Sequence, residues 1–429
     1  MCRDHEACTF TYDVTAKRVV GKVIKIEPLY IPFAAQAPDG STNGATLSSW
    51  ITSRAVPPAR ENVRALLGSL GLSSTEELML FGLGLSLSDQ YWFRPSDVDL
   101  DWDDVKLFGR SFSDDVGQIL VSHDETSMAA ALARLRRRSE ISSSSPDAAL
   151  NGNLPKFWSS QNGQARLYKT GRASCLYLEP YCEAATTELC RAILPPDRFV
   201  PYTLDGFRDE WPLGSCPSFT DDTVEFVPAA DIFQLAPRDN SSSRYERYAR
   251  LLESKGITDA RTALAEMLVV DHIIGNFDRH WGNFGILVDA ESRKWLRCAP
   301  LFDMGESFDC DRAIGTHRLP RRAQYRLPFL TRIDEQMGRF AEELEWFDGA
   351  LARAAVEKSL RIISDAPLLA SYRDLYLATE SRQLESRIAG VERKARERGL
   401  IHAVSHDLDV EAPPIDEERP HTKHDDLDR

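Results

Sequence analysis

Residues 271–305, DHIIGNFDRHWGNFGILVDAESRKWLRCAPLFDMG, constrain the fold more than any other stretch. An apolar helix end runs into a polar loop, then into the apolar run Phe284–Val288, a turn, and an acid followed closely by glycine. The apolar run reads as a buried strand, which sets the polar loop before it and the acid after it on one rigid frame.

The residue types in that frame point to a chemistry. Asp278 and Asn283 stand five residues apart, the D-x-x-x-x-N spacing of a phosphoryl-transfer catalytic loop, and Asp303-Met304-Gly305 follows where such enzymes place a second magnesium-binding acid. Phosphoryl transfer asks the protein mainly to position groups and neutralise charge. A carboxylate that accepts or orients the proton of the attacking hydroxyl suits Asp278. Magnesium takes hard oxygen ligands and keeps several waters, so one amide oxygen and one carboxylate suffice, which suits Asn283 and Asp303. Each piece alone is weak, because Asp and Asn are common in loops and Asp-x-Gly is usually a turn. Their order, joined by the apolar run, is what carries the reading.

The segments NFDRHWGNFGI and CAPLFDMG resemble the HipA-like kinase family, in which D-x-H-x-x-N precedes a strand and a metal-binding Asp. Similar D-R-H-x-x-N loops occur in phosphoinositide lipid kinases, so the loop alone leaves the substrate open. The resemblance extends back to about residue 150 and, more loosely, into the N-terminal third. It implies an α+β architecture: a two-lobed protein-kinase-like domain preceded by a smaller β/helical domain, with ATP between the lobes and Mg2+ on Asn283 and Asp303.

A second pair fits this frame. ARLYK ends in Lys169, and Glu183 follows fourteen residues later in PYCEAATTELCRAIL, which reads as an amphipathic helix. A strand lysine and a helix glutamate are what kinases use to hold the α- and β-phosphates. On sequence alone Lys169 reads as readily as a surface lysine. The HipA-like pattern favours Lys169 with Glu183, and Glu179 competes for the partner role. The turn at Asn151-Gly152-Asn153, with Lys156, matches the position of the family's phosphate loop. No G-x-G-x-x-G and no Walker-type motif is present, so backbone amides near Gly152 and the Lys156 ammonium would have to cradle the phosphates.

With 429 residues the chain has room for two or three domains, and its net charge of −14 argues against direct nucleic-acid binding. Residues 407–429 alone carry nine acids against three bases. There is no apolar run of about 18 residues to cross a membrane, and MCRDHEACTF lacks a signal-peptide core. The eight cysteines form no C-x-x-C pair, which fits reduced thiols in a cytoplasmic protein. Cys2, His5 and Cys8 sit in what reads as a frayed terminus and make a poor metal cage.

Taken in order, residues 1–138 read as the N-terminal β/helical domain, with alternation over 9–33 and a helix before Gly71. Asp97, Asp99, Asp101 and Asp103 suggest a calcium loop, but Trp102 and Phe108 occupy its glycine and glutamate positions. SLSDQYW, just before them, has no mechanism legible in its residues. Residues 139–153 read as a flexible linker carrying the phosphate loop, 154–225 as the small lobe with a hairpin at Asn162-Gly163, 226–405 as the helical large lobe, and 406–429 as a disordered acidic tail. Residues 334–364 and 366–399 read as two long helices. Asp271 shares an apolar helix face and reads as a brace for the loop, His280 as a loop-stabilising histidine, and Arg318, Arg321 and Arg322 as phosphate-contacting or simply solvated cations.

The expected function is therefore transfer of the ATP γ-phosphate to a hydroxyl, with a protein serine or threonine as acceptor. The HipA-like resemblance also implies a small DNA-binding partner protein. It leaves two other readings standing: a catalytically weak regulator that binds such a partner, and a small-molecule or lipid kinase.

Overall fold

The structure, a computed structural model, describes residues 1–399 apart from 61, 123, 138–144, 151–153, 162, 209, 238 and 313–325. Gly152, the connector serines 142–144, Arg318, Arg321, Arg322 and the acidic tail thus lie outside the described residues.

The chain begins with an antiparallel pair, β1 (Cys8–Asp13) and β2 (Arg18–Lys25), followed by α1 (Gly44–Arg54), α2 (Val63–Leu70) and α3 (Thr75–Phe81). Local chemistry sets these boundaries. Asn43 accepts from the amides of Ala45 and Thr46 in a capping box at the start of α1, and Gly71 ends α2 in the left-handed region at φ 70°. The short α4 (Trp102–Val105), α5 (Asp115–Val121) and α6 (Glu125–Arg137) complete the N-terminal part. Of the four acids there, Asp101 caps α4 by accepting from the Asp104 amide at 3.0 Å.

The N-terminus is not frayed. The Met1 ammonium donates to the Trp92 carbonyl at 2.9 Å, Cys2 is fully buried, and the His5 ring bridges Glu27 at 3.1 Å and Glu291 at 3.0 Å. Composition could not show this, because the anchors are about ninety and nearly three hundred residues away.

A four-stranded antiparallel sheet follows, in the order β3 (Lys156–Gln161), β4 (Gln164–Lys169), β6 (Trp211–Pro217), β5 (Thr203–Arg208). The helix α7 (Glu179–Ile193) lies between this sheet and the helical lobe. Its sequence reads as amphipathic, yet only Glu188, Arg191 and Ala192 escape burial. Being covered on nearly every side explains its many small residues, Ala184, Ala185, Thr186 and Thr187.

A three-stranded antiparallel sheet, β7 (Val224–Pro228), β8 (Gly285–Asp289) and β9 (Trp295–Cys298), carries the central stretch of the sequence. Around it stand α8 (Ala229–Ile232), α9 (Arg244–Ser254), α10 (Ala260–Ile274), α11 (Ile333–Phe340), α12 (Gly349–Ser364) and α13 (Arg373–Glu397). One large apolar cluster runs from α7 through α10 and β8 to α12 and α13. The fold is α+β and two-lobed, with the sheet and α7 on one side and the helices on the other.

The single helix read over 334–364 is two. Residues 341–348 leave the helical path so that Leu344 and Phe347 can bury, and Asp348 then caps α12 by accepting from the amides of Ala350 and Leu351. Helical periodicity continues through the break, which is why the sequence hides it.

SLSDQYW acquires a structural role. Arg54 grips Asp89 with both guanidinium nitrogens at 2.8 and 3.1 Å. The Ser88 carbonyl accepts from the Phe226 amide at 2.8 Å, Gln90 donates to the Asp221 carbonyl at 2.7 Å, and the Tyr91 hydroxyl accepts from Arg293 at 2.7 Å. This segment fastens the N-terminal part to β7 and to the turn after β8.

Candidate active site

Helix α10 is buried along nearly its whole length and stops at Gly275, whose φ of 67° is the left-handed cap. Beyond it the chain must turn sharply within a dry interior, and Asp271 anchors that turn. Asn276 donates to the Asp271 carboxylate from its side chain at 2.8 Å and to the Asp271 main-chain carbonyl from its backbone at 2.9 Å. Arg279 closes both of its ends on the same carboxylate at 2.9 Å and gives its other nitrogen to the carbonyls of Asn283 and Phe302, both at 2.7 Å. One fully buried guanidinium thus ties α10, the loop and the strand leading to Asp303 together.

On this brace the loop 276–283 presents its polar groups. The Asp278 amide donates to the Asn276 side-chain oxygen at 3.0 Å, and the Asn283 amide nitrogen donates to the Asp278 carbonyl at 3.1 Å. His280 accepts from the Gly282 amide at 3.0 Å, which ties its ring into the turn, and burial holds that ring below the ordinary imidazole range. The Asp278 carboxylate, 16% exposed, meets the Arg326 guanidinium at 3.1 Å. Burial pushes its pKa up to about 6, with Arg326 pulling against that rise and the charge of Asp303 adding to it.

Asp303 enters from the other side. Phe302 packs its ring against Phe219 and Phe226, with centroids 5.3 and 5.2 Å away, and Asp303 itself sits at φ 55°, a left-handed conformation that few acids adopt. Gly305 lets the chain pass close to α7, since a Cβ there would stand 3.1 Å from the Glu179 Cβ and 3.3 Å from the Glu183 Cγ. The glycine of Asp-Met-Gly is therefore a packing requirement.

The Lys169 ammonium, buried at the end of β4, bonds Glu183 and Asp303 at 2.7 Å each, and also reaches the Tyr202 hydroxyl at 3.4 Å. Tyr202 accepts from the Asp303 amide as well, at 3.2 Å, and its ring lies 5.0 Å from the ammonium. Burial alone would neutralise this lysine, but the charges of Asp303 and Glu183 hold its pKa well above the ordinary value. Burial likewise pushes Glu183 up to about 7 against the pull of Lys169. For Asp303 burial is outweighed by Lys169 and Lys156, which hold the carboxyl below the usual range.

The competition between Glu179 and Glu183 resolves in space. Glu183 faces Lys169, while Glu179 accepts from Arg172 at 3.0 Å, and Arg172 also reaches Glu306 at 2.6 Å. Lys156 opens β3 directly across from Lys169 in the sheet register. Burial pushes its ammonium down to about 8, with the attraction of Asp303 opposing. The geometry therefore gathers Lys169, Glu183, Asp303 and the charge of Lys156 at one face of the sheet, and Asp278 with Asn283 on the facing loop. Arg279, Tyr202 and Arg326 were not singled out from sequence. A signal existed for Arg279: Asp271, an acid on an apolar helix face, needs a buried cation.

The donor set fits a magnesium ion coordinated jointly with a nucleotide. Asn283 spends its amide nitrogen on Asp278, which leaves its oxygen as an acceptor. Asp303 is ionised and 28% exposed. Among the described residues no group of three or more His, Cys, Asp or Glu could hold a metal alone.

No family model and no curated protein matches the chain. Among solved structures it is similar to the Helicobacter pylori proinflammatory kinase CtkA, with a TM-score of 0.45 and 16% identity over 58% of this chain and 94% of that one. It is also similar to the Golgi casein kinase, with a TM-score of 0.33 and 12% identity over 58% and 71% of the two chains. These likenesses are loose and do not single out a HipA-like relative. Among the described residues no helix is long and apolar enough to cross a membrane.

Proposed function

We propose that this chain is an ATP- and Mg2+-dependent kinase of HipA-like type, transferring the γ-phosphate to a hydroxyl, with serine or threonine of a protein as the acceptor. The observation that carries the reading is the Lys169 ammonium shared between Glu183 and Asp303 at 2.7 Å each. A buried cation between two acids from distant parts of the chain is expensive to build. It is what a site needs if a strand lysine must be aimed at phosphate by a helix glutamate, next to the metal-binding acid.

In this reading Asp278 takes the proton of the attacking hydroxyl, with a pKa near 6 that keeps it mostly ionised at neutral pH. Lys169, oriented by Glu183, holds the α- and β-phosphates, and the half-buried Lys156 adds positive charge on the same side. Asn283 and Asp303 would hold magnesium, which when bound neutralises charge on the phosphates. Arg279 reacts with nothing and keeps the loop and Asp303 in register.

The test is transfer of labelled phosphate from ATP with magnesium, comparing the wild type with Asp278→Asn. The wild type is expected to label itself or an added protein, and the variant to be slower by on the order of 10²–10⁴. Equal labelling by the two would remove Asp278 from the chemistry. Running the assay on protein, metabolite and lipid pools separates the acceptor classes.

One observation favours a second reading, a HipA-like regulator with little transfer of its own that acts by binding a small DNA-binding protein. Both acids of the proposed chemistry are engaged by the protein's own cations, Asp303 by Lys169 and Asp278 by Arg326. Silence of the wild type across all three pools, with a partner protein still bound, would favour it.

A further inference from the structure

Away from the Asp278 loop, α10, α11 and α13 line an open pocket of about 640 Å³ whose wall includes His272, Gly275, Arg387, Arg393 and Lys394. That volume is in the range of small-molecule sites, about 300–1,000 Å³. What distinguishes it is its charge. The chain carries a net −14, yet three cations converge here with none of them in an ion pair among the described residues.

The bonds these cations make fix their positions without neutralising them. Lys394, buried, donates to the carbonyls of Met337 and Gly338 at 2.8 and 2.7 Å. Arg387 donates to the Ile273 carbonyl at 3.2 Å and to the Gln383 side-chain oxygen at 2.8 Å. Arg393 is exposed on the α13 side of the cavity, and none of its nitrogens is hydrogen-bonded among the described residues. Of the two acids on the rim, Asp334 is already paired with Arg332 at 2.8 Å; Glu397 and, beyond the rim, Glu342 attract Lys394, and Glu342 is itself paired with Arg398 at 3.1 Å. Burial, with the charge of Arg387 adding to it, holds His272 near 4, so its ring contributes no charge at neutral pH. A pocket wall that carries three cations outside any ion pair among the described residues favours an anion.

We propose that this cavity is a binding site for a small, soluble, phosphate-bearing molecule held by Arg387, Arg393 and Lys394. Phosphate is the class favoured because planar guanidinium forks and an ammonium match its several oxygens and its double charge. A pocket of this size on an acidic chain fits a small molecule better than a nucleic-acid backbone, which needs an extended basic surface. The site is independent of the kinase reading. Its wall includes Gly275, the residue before Asn276.

The test is calorimetric titration of the full chain with inorganic pyrophosphate, with ribose 5-phosphate and with citrate, without ATP. The two phosphates are expected to bind saturably and more weakly as salt rises. Their affinity should fall about tenfold or more in Arg393→Glu, the loss of one charged hydrogen bond. Arg393→Gln should weaken it in the same direction, and because this side chain is exposed and unbonded, both variants keep the fold, which circular dichroism checks. Lys156→Met, which removes a cation of the cleft while Asp303 keeps Lys169, should bind as the wild type does, which separates this site from the cleft. Absence of a saturable signal for both phosphates overturns the proposal, as does undiminished binding by both Arg393 variants or loss of binding in a folded Lys156→Met. Citrate binding as tightly as the phosphates overturns the ligand class.

Discussion

Arg279 and Arg326 each set a guanidinium against an aspartate at the loop 276–283, yet their side chains are 0% and 58% exposed. Arg279 makes four hydrogen bonds, two of them to a carboxylate that is itself buried. Among the described residues Arg326 makes one ion pair, at 3.1 Å, with the acid that faces the cleft. In the interior a charge must be fully partnered, and removing one partner strands the other. At the surface water offers an alternative to either partner, so a pair is weak and replaceable. The loop is thus held rigidly from behind and covered lightly in front, which is how a site can be preorganised and still admit a substrate.

The contrast sets the expected order of effects. Arg279→Met should be the most damaging change, costing about 3–5 kcal/mol because Asp271 is left buried and unpaired; urea unfolding of the two proteins measures it. A loss below about 1 kcal/mol would mean that Asn276 alone satisfies Asp271, and that the brace is shared more widely than the bonds suggest.

Next comes the pH dependence of phosphate transfer. Asp278 must be ionised to accept a proton, so the rate should be present above, and fall away below, about pH 6. Raising that pKa from the ordinary carboxylate range also means that stability declines between the two values as pH rises, since the folded state holds this proton longer than the unfolded chain does. An acid limb near pH 4 in the rate profile would contradict the burial assigned to this group.

The smallest effect belongs to Arg326→Ala. Its stability should stay within about 0.5 kcal/mol of the wild type. The acid limb should move upward, by no more than about 0.7 unit, because an exposed pair contributes at most about 1 kcal/mol. A downward shift would show that Arg326 is not what lowers Asp278.

How much of this could be read from the chain depends on sequence distance. The loop and Asp303 were legible because Asp278, Asn283, the strand and the second acid follow one another within 26 residues. The Lys169–Glu183 pair needed the HipA-like pattern, since nothing local distinguishes its lysine from a solvated one. Arg279 looked like a loop cation between an acid and a histidine, and only the apolar surroundings of Asp271 hinted otherwise. Tyr202 and Arg326 reach the site through tertiary contacts that no periodicity records. The same holds for the buried N-terminus and for the break after Phe340, where burial of Leu344 and Phe347 overrides helical propensity.

The junction built by SLSDQYW has a practical corollary. Arg293 and Glu225 form a buried pair on the β7–β8 side, and Tyr91 from the N-terminal part supplies a further partner to that arginine. The β7 strand also relies on Ser88 for one amide bond. A truncated chain starting near residue 154 would uncover this charged pair and an unsatisfied strand edge at once. The two lobes therefore do not make a self-sufficient fragment. Whatever grips or displaces the N-terminal part acts on β7, the neighbour of the strand that leaves Asn283, and on the turn after that strand.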